Sequence, residues 1–199
     1  MRLITLLLLC VVLIGCEKEL PVYSGTPLDR GGILYKPNSN EPLTARVERY
    51  HENGQLKDLY TVIDGNREGL HRQWHGNGQL ESEVTYVKGK REGLQPDWRR
   101  NGQRRHDVTY VNDKREGSEH WWDENGQLIQ EVKFVKGKQE GLSRWWHDNG
   151  QLRAEVTYVN GKLEGLEHWW DENGEANAGD CYKAGEVTDM SYCTEGKQP

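Results

Sequence analysis

Aliphatic residues are scarce in this chain once its first fifteen positions are set aside. Leu, Ile, Val and Phe supply only 30 of the remaining 184 residues, about 16%, and Phe134 is the one phenylalanine. A share below roughly 20% excludes a conventional layered core and, with high net charge, would signal disorder. The formal net charge is only -6, however, and all 8 Trp and 9 Tyr lie in the same stretch. Long apolar runs are also missing beyond the N-terminus, which excludes a multi-pass membrane protein. Basic blocks are absent, and 26 Lys+Arg face 32 Asp+Glu, so a strongly basic nucleic-acid binder is excluded. No Gly-rich phosphate loop, His-Glu-x-x-His or Gly-x-Ser-x-Gly occurs. The expectation is a protein that is not an enzyme, with no cofactor, metal or small-molecule substrate.

The N-terminus reads as an address. Met1-Arg2 precedes Leu3 to Ile14, apolar except for Thr5. A positive start and an apolar run of this length describe a secretory signal over residues 1–15, too short to span a bilayer. Leu13-Ile14-Gly15-Cys16 resembles the bacterial lipobox, in which the signal is cut before the Cys and the Cys is acylated. Cys16 is then the expected lipidated residue, and losing Arg2 takes the formal charge to -7. Two or more acyl chains, palmitate among them, anchor stably. Glu17, not Asp, follows the Cys. In a Gram-negative envelope this resemblance favours the outer membrane; in a Gram-positive one it implies the outer face of the plasma membrane. Residues 16–42, with Pro21, Gly25, Pro27, Gly31, Gly32, Pro37 and Pro42, read as a flexible tether. Within it Ile33, Leu34 and Tyr35 could form a first, irregular strand.

The rest is one repeat. Asn-Gly recurs at Asn53, Asn77, Asn101, Asn125, Asn149 and Asn173, always 24 residues apart. Glu-Gly recurs at Glu68, Glu92, Glu116, Glu140 and Glu164. Tyr50, Trp74, Trp98, Trp122, Trp146 and Trp170 hold one aromatic register; Val62, Tyr86, Tyr110, Phe134, Tyr158 and Tyr182 hold another. Such spacing identifies a repeat architecture of about six units over 43–190. Each unit alternates β-branched and aromatic runs, as in Glu155 to Val159 and Gly165 to Trp170, with Asn-Gly turns. That pattern predicts successive hairpins. The expected fold is all-β: an elongated sheet of antiparallel β-hairpins, either a single layer or a twisted meander, rising about 10 Å per unit.

The unit Tyr-Val-x-Gly-Lys-x-Glu-Gly-Leu-x-x-Trp-Trp-x-x-Asn-Gly-Gln-Leu resembles a MORN repeat (membrane occupation and recognition nexus). More closely it resembles the bacterial variant class found in antitoxin-like repeat proteins. Pro42-Leu43-Thr44-Ala45 resembles the family's usual first unit, with Ala45 where Gly is commoner. The resemblance covers roughly three quarters of the chain and implies an open stack of hairpins. At the C-terminus Thr188 and Asp189 replace Glu-Gly, so residues 181–199 read as an atypical cap and tail. Cys181 and Cys193 are expected to form a disulfide in an oxidising compartment, worth roughly 3 kcal/mol.

Alternation along a strand separates the tryptophans onto two faces. Trp74, Trp98, Trp122, Trp146 and Trp170 are expected to pack unit on unit. Trp121, Trp145 and Trp169, replaced earlier by Asp97, Gln73 and Arg49, are expected on the side facing solvent. They either cover that face by packing on Val and Leu or, flanked by His120, Arg144 and His168, bind a partner. The recurrent Glu is expected to pair with Lys or Arg across the hairpin, such as Lys90, Lys114, Lys138 and Lys162, or to cap backbone N–H groups. His51, His75 and His147, and His120 and His168, are expected at the surface. Three functions follow as expectations. The first is a lipid-anchored envelope module or scaffold binding a protein partner or envelope polymer. The second, implied by the resemblance, is an antitoxin or immunity protein. The third is a repeat that associates with membrane lipid, although no basic stripe favours anionic headgroups.

Overall fold

A computed structural model describes residues 19–177 and 179–194. The signal-like run and Cys16 lie outside the described residues. Strands dominate, and one helix, Ser191–Thr194, is among the described elements. No helix among the described residues is long and apolar enough to cross a membrane.

From Ala45–Tyr50 to Glu186–Thr188 the strands run antiparallel in chain order. They form one long sheet of hairpins that does not close. Each unit has a strand leading to the long turn, such as Asn66–Trp74, and a return strand, such as Leu80–Val87. The fourth and fifth leading strands are interrupted at Glu116 and Glu140, giving Lys114–Arg115 and Lys138–Gln139 before the break and Gly117–Trp122 and Gly141–Trp146 after it.

Two kinds of turn alternate. The long one holds Asn-Gly: Gly54 donates to the His51 carbonyl and His51 N–H to the Gln55 carbonyl, with Gly54 at φ 82. This is a type I turn closed by a left-handed glycine, the usual three-residue hairpin loop. The short turn has two left-handed residues, for example Lys88 (φ 50) and Gly89 (φ 77). Mirror-image turns of this kind match the strand twist, but a lysine there costs about 1–2 kcal/mol.

The recurrent Glu offsets that cost. The Lys88 N–H donates to Glu68, Asn112 to Glu92, Lys136 to Glu116, Asn160 to Glu140 and Ala184 to Glu164, at 2.7–2.9 Å. Thr44 does the same for Asp64 in the first unit. Of the two roles expected for this Glu, the structure shows the backbone cap. At the long turns, Asn53, Asn77 and Asn149 each donate to a carbonyl 23 residues on, in the next unit. His51, His75 and His147 bond the carbonyls of Trp74, Trp98 and Trp170. Neighbouring units are therefore stitched at both ends of their strands.

The segment read as a tether is folded from Val22 onward. Val22–Tyr23 pairs parallel with the first long strand, and Leu28–Arg30 forms a hairpin with Ile33–Tyr35. Leu34 and Leu43 are buried with Ala45, Val47, Tyr60 and Val62. The physical reason is the open start of the sheet: its first unit has no predecessor, so its apolar face and unpaired strand need a cover. At the other end Cys181 and Cys193 are joined by a disulfide that ties the short helix to the last hairpin.

Candidate binding site

Cross-strand pairing assigns every residue to a face, because paired residues share one. One continuous row runs Arg49, Asp58, Gln73, Ser82, Asp97 and His106, then Trp121, Gln130, Trp145, Ala154 and Trp169. Val47, Tyr60, Val84, Val108, Val132 and Val156 lie on the same face, and all are buried. We call it the inner face. Trp121, Trp145 and Trp169 therefore lie beside the buried residues and not on the more exposed side, which corrects the expectation. Trp74, Trp98, Trp122, Trp146 and Trp170 lie on the outer face. There Leu80, Leu128 and Leu152 pair with Trp74, Trp122 and Trp146, each within its own hairpin. Both series are half-buried. The longer one sits beside the exposed long turns, whereas the buried valines sit at mid-strand opposite it; this places the better-packed face with the shorter series.

The six residues expected to form one patch are divided by the sheet. His120, Arg144 and His168 lie on the outer face, in a row of alternating charge. His120 stands 2.9 Å from Asp107, and Arg144 stands 4.0 Å from Glu131 and 3.4 Å from Glu155. His168 stacks on the Trp170 ring of that face, and none of the three flanks Trp121, Trp145 and Trp169. Adjacent positions in an extended strand cannot share a face.

The N-terminal half of the inner row is a buried polar network. Asp58 is 1% exposed and accepts hydrogen bonds from Arg49 (2.6 Å) and Gln73 (2.8 Å), with His71 at 3.3 Å. Burial pushes its pKa up, but the bonds from His71, Arg49 and Gln73 outweigh that and hold it well below the usual carboxylate range. His106 lies between Asp97 (3.1 Å) and Glu119 (2.7 Å), and its ring centroid is 3.9 Å from that of Trp121, the planes tilted by 31°. Burial lowers the His106 pKa; the bonds to Asp97 and Glu119 raise it by more, so the net shift is upward. Glu119 is shifted downward, because the bond from His106 and the charge of Arg115 outweigh burial. Both histidines are buried, and neither is among those singled out from the sequence. Among the described residues no group of three or more His, Cys, Asp or Glu is placed to hold a metal ion.

The C-terminal half is different. Between Trp145 and Trp169 the row holds only Ala154, and a groove of about 380 Å³ opens there. Ala154 and Val156 line it with the two tryptophans, Tyr158 and Leu163. Three small or apolar residues explain the opening. Ala154 takes the register of Asp58, Ser82, His106 and Gln130; Ser143 takes that of His71 and Glu119; Leu163 takes that of Arg67, Arg91 and Arg115. Those arginines elsewhere stack over inner-face aromatics, as Arg91 does 3.8 Å from the Tyr110 ring.

Comparison with known proteins bears on the fold. Residues 43–64, 67–88, 115–136 and 139–160 match the MORN repeat variant. No curated protein matches the chain. Among solved structures, an S. aureus TarM mutant in complex with fondaparinux, alpha-GlcNAc-glycerol and UDP aligns at 16% identity and a TM-score of 0.32. That alignment covers 48% of this chain and 19% of that one. A GtfA/B complex bound to UDP and GlcNAc aligns at 11% identity and a TM-score of 0.25, covering 55% of this chain and 22% of that one. The chain thus spans about a fifth of the length of each, and these likenesses carry no functional argument. The matched segments fall in the 24-residue register, and residues 91–112 between them keep the same strands and turns. Four segments of the chain thus match the MORN repeat variant, and the units beside them share its hairpin architecture.

Proposed function

We propose that this protein is a non-enzymatic binding module of the bacterial cell envelope, held to a membrane through acylated Cys16. Its inner face receives a partner along Trp121, Trp145 and Trp169. The observation that carries this reading is the groove between Trp145 and Trp169, on an otherwise closely filled face. Half-buried tryptophans around an opening are typical anchors for a partner. The joined Cys181 and Cys193 suit an oxidising, extracytoplasmic compartment, which supports export.

The test is capture of partners from the native envelope by the anchored protein. Trp145→Ala and Trp169→Ala each weaken the captured partner by about 2 kcal/mol or more, while Trp146→Ala on the outer face leaves it bound. Retention of the same partner by both inner-face variants, with melting unchanged, overturns the site. For the anchor, Cys16→Ala moves the protein from the membrane fraction to the soluble one; unchanged fractionation refutes it.

A further inference from the structure

The groove has a composition that selects among ligands. Its two walls are indoles. Trp145 pairs with Ala154, and Ala154 with Trp169, so the walls stand two strands apart, about 10 Å. A group held midway is about 5 Å from each of the strands that carry the indoles, and an aromatic face attracts a cation over roughly 6 Å. Tyr158 adds a third aromatic, and Glu167 adds a carboxylate. Among the described residues Glu167 lies in no salt bridge; its contact is a 3.4 Å hydrogen bond from Tyr182. Burial, then the charge of Glu167, raises the Tyr158 pKa, so the two groups share one environment.

We propose that the slot between Trp145 and Trp169 binds a quaternary ammonium group. This rests on the inner face being the binding face and names what it takes. Three aromatics and one acid favour a soft cation over a hydrated one. A primary ammonium carries three N–H donors that would each need an acceptor on entering. The slot offers Glu167 and otherwise mainly carbon. A trimethylated nitrogen has no donors to satisfy, so it gains the cation–π attraction at a smaller desolvation cost. Anions are disfavoured by Glu167. Arg153, exposed at the rim, is the one group there that opposes a cation. The preceding gap, between Trp121 and Trp145, carries Gln130 where this one carries Ala154, which confines the slot to one unit.

The test uses the purified chain and tetramethylammonium chloride, followed by the indole N–H signals of Trp145 and Trp169 in NMR. Sodium chloride at equal ionic strength and neopentyl alcohol, which carries a neutral tert-butyl group of similar size, are the controls. The expected result is saturable binding with a Kd on the order of 1 mM, feasible for an ion of five heavy atoms. Glu167→Gln, an isosteric change, weakens it about fivefold, and Arg153→Gln strengthens it. Ala154→Gln, which places here the side chain of the preceding gap, abolishes it. Equal affinity for neopentyl alcohol, or indifference to Glu167→Gln, overturns the proposal. So does a lack of saturable shifts while Trp145→Ala and Trp169→Ala still abolish partner capture; in that case the binding face stands and its ligand class is wrong. Capture that ignores both tryptophans instead overturns the binding face itself.

Discussion

The two halves of the inner row solve the same packing problem with opposite chemistry. From Arg49 to His106 the row is filled by charged and polar groups, each answered across the strand: Arg49 by Asp58, Gln73 by Ser82, Asp97 by His106. From Trp121 onward it is filled by indoles alternating with Gln130 and Ala154. Both halves rest on the same buried valines, so backbone architecture is not the difference. Buried polar groups fix a unique arrangement, because each unsatisfied member would cost more than its bond contributes. Indoles beside an alanine tolerate space. The first half is therefore suited to holding the repeat in register, and the second leaves a groove between its indoles.

Breaking the polar half should have the largest effect. Asp58→Ala leaves Arg49, His71 and Gln73 facing a gap and destabilises the fold by about 3–5 kcal/mol in denaturant titration. Ala154→Ser in the other half changes stability by less than about 1 kcal/mol. Comparable losses for the two would erase the distinction.

The pH dependence sharpens the same contrast. The raised His106 pKa contributes stability that is full below its unfolded value near 6.5 and is lost as pH rises through the folded value. The lowered Asp58 and Glu119 pKa values contribute stability present above about 4 and lost on acidification. Stability is expected to peak at about pH 5–6.5. His106→Gln flattens the alkaline limb; melting curves of the variant that keep the wild-type alkaline slope would refute this role. Trp145→Phe, in the other half, leaves both limbs in place.

The smallest effect belongs to a feature that both halves share. Glu92→Ala and Glu140→Ala each remove one turn cap and cost about 1 kcal/mol, alike in both halves. A markedly larger loss on one side would show that the halves differ in their turns as well as their faces.

Much of the architecture was legible in the sequence. The 24-residue registers, the Asn-Gly turns and the strand alternation give the sheet of hairpins, because each rests on local chemistry. The choice of buried face was not legible from the tryptophans, since both faces carry them. It was written instead in the column Asp58, Ser82, His106, Gln130, Ala154, whose members change in step with Arg49, Gln73, Asp97, Trp121 and Trp145. That compensation marks a row of contacts. The fold of residues 22–43 was hidden for another reason. Its strands are two or three residues long and form only where an open sheet end supplies a partner.

The recurrent stitches between units run in steps of constant length: a Glu reaches 20 residues forward, a loop Asn or His 23. Excising any interior block of 24 residues would rejoin each stitch to an equivalent partner and leave both caps as they are. The length of the sheet is thus a quantity that inheritance can edit in whole units, by duplication or loss, without redesigning an end.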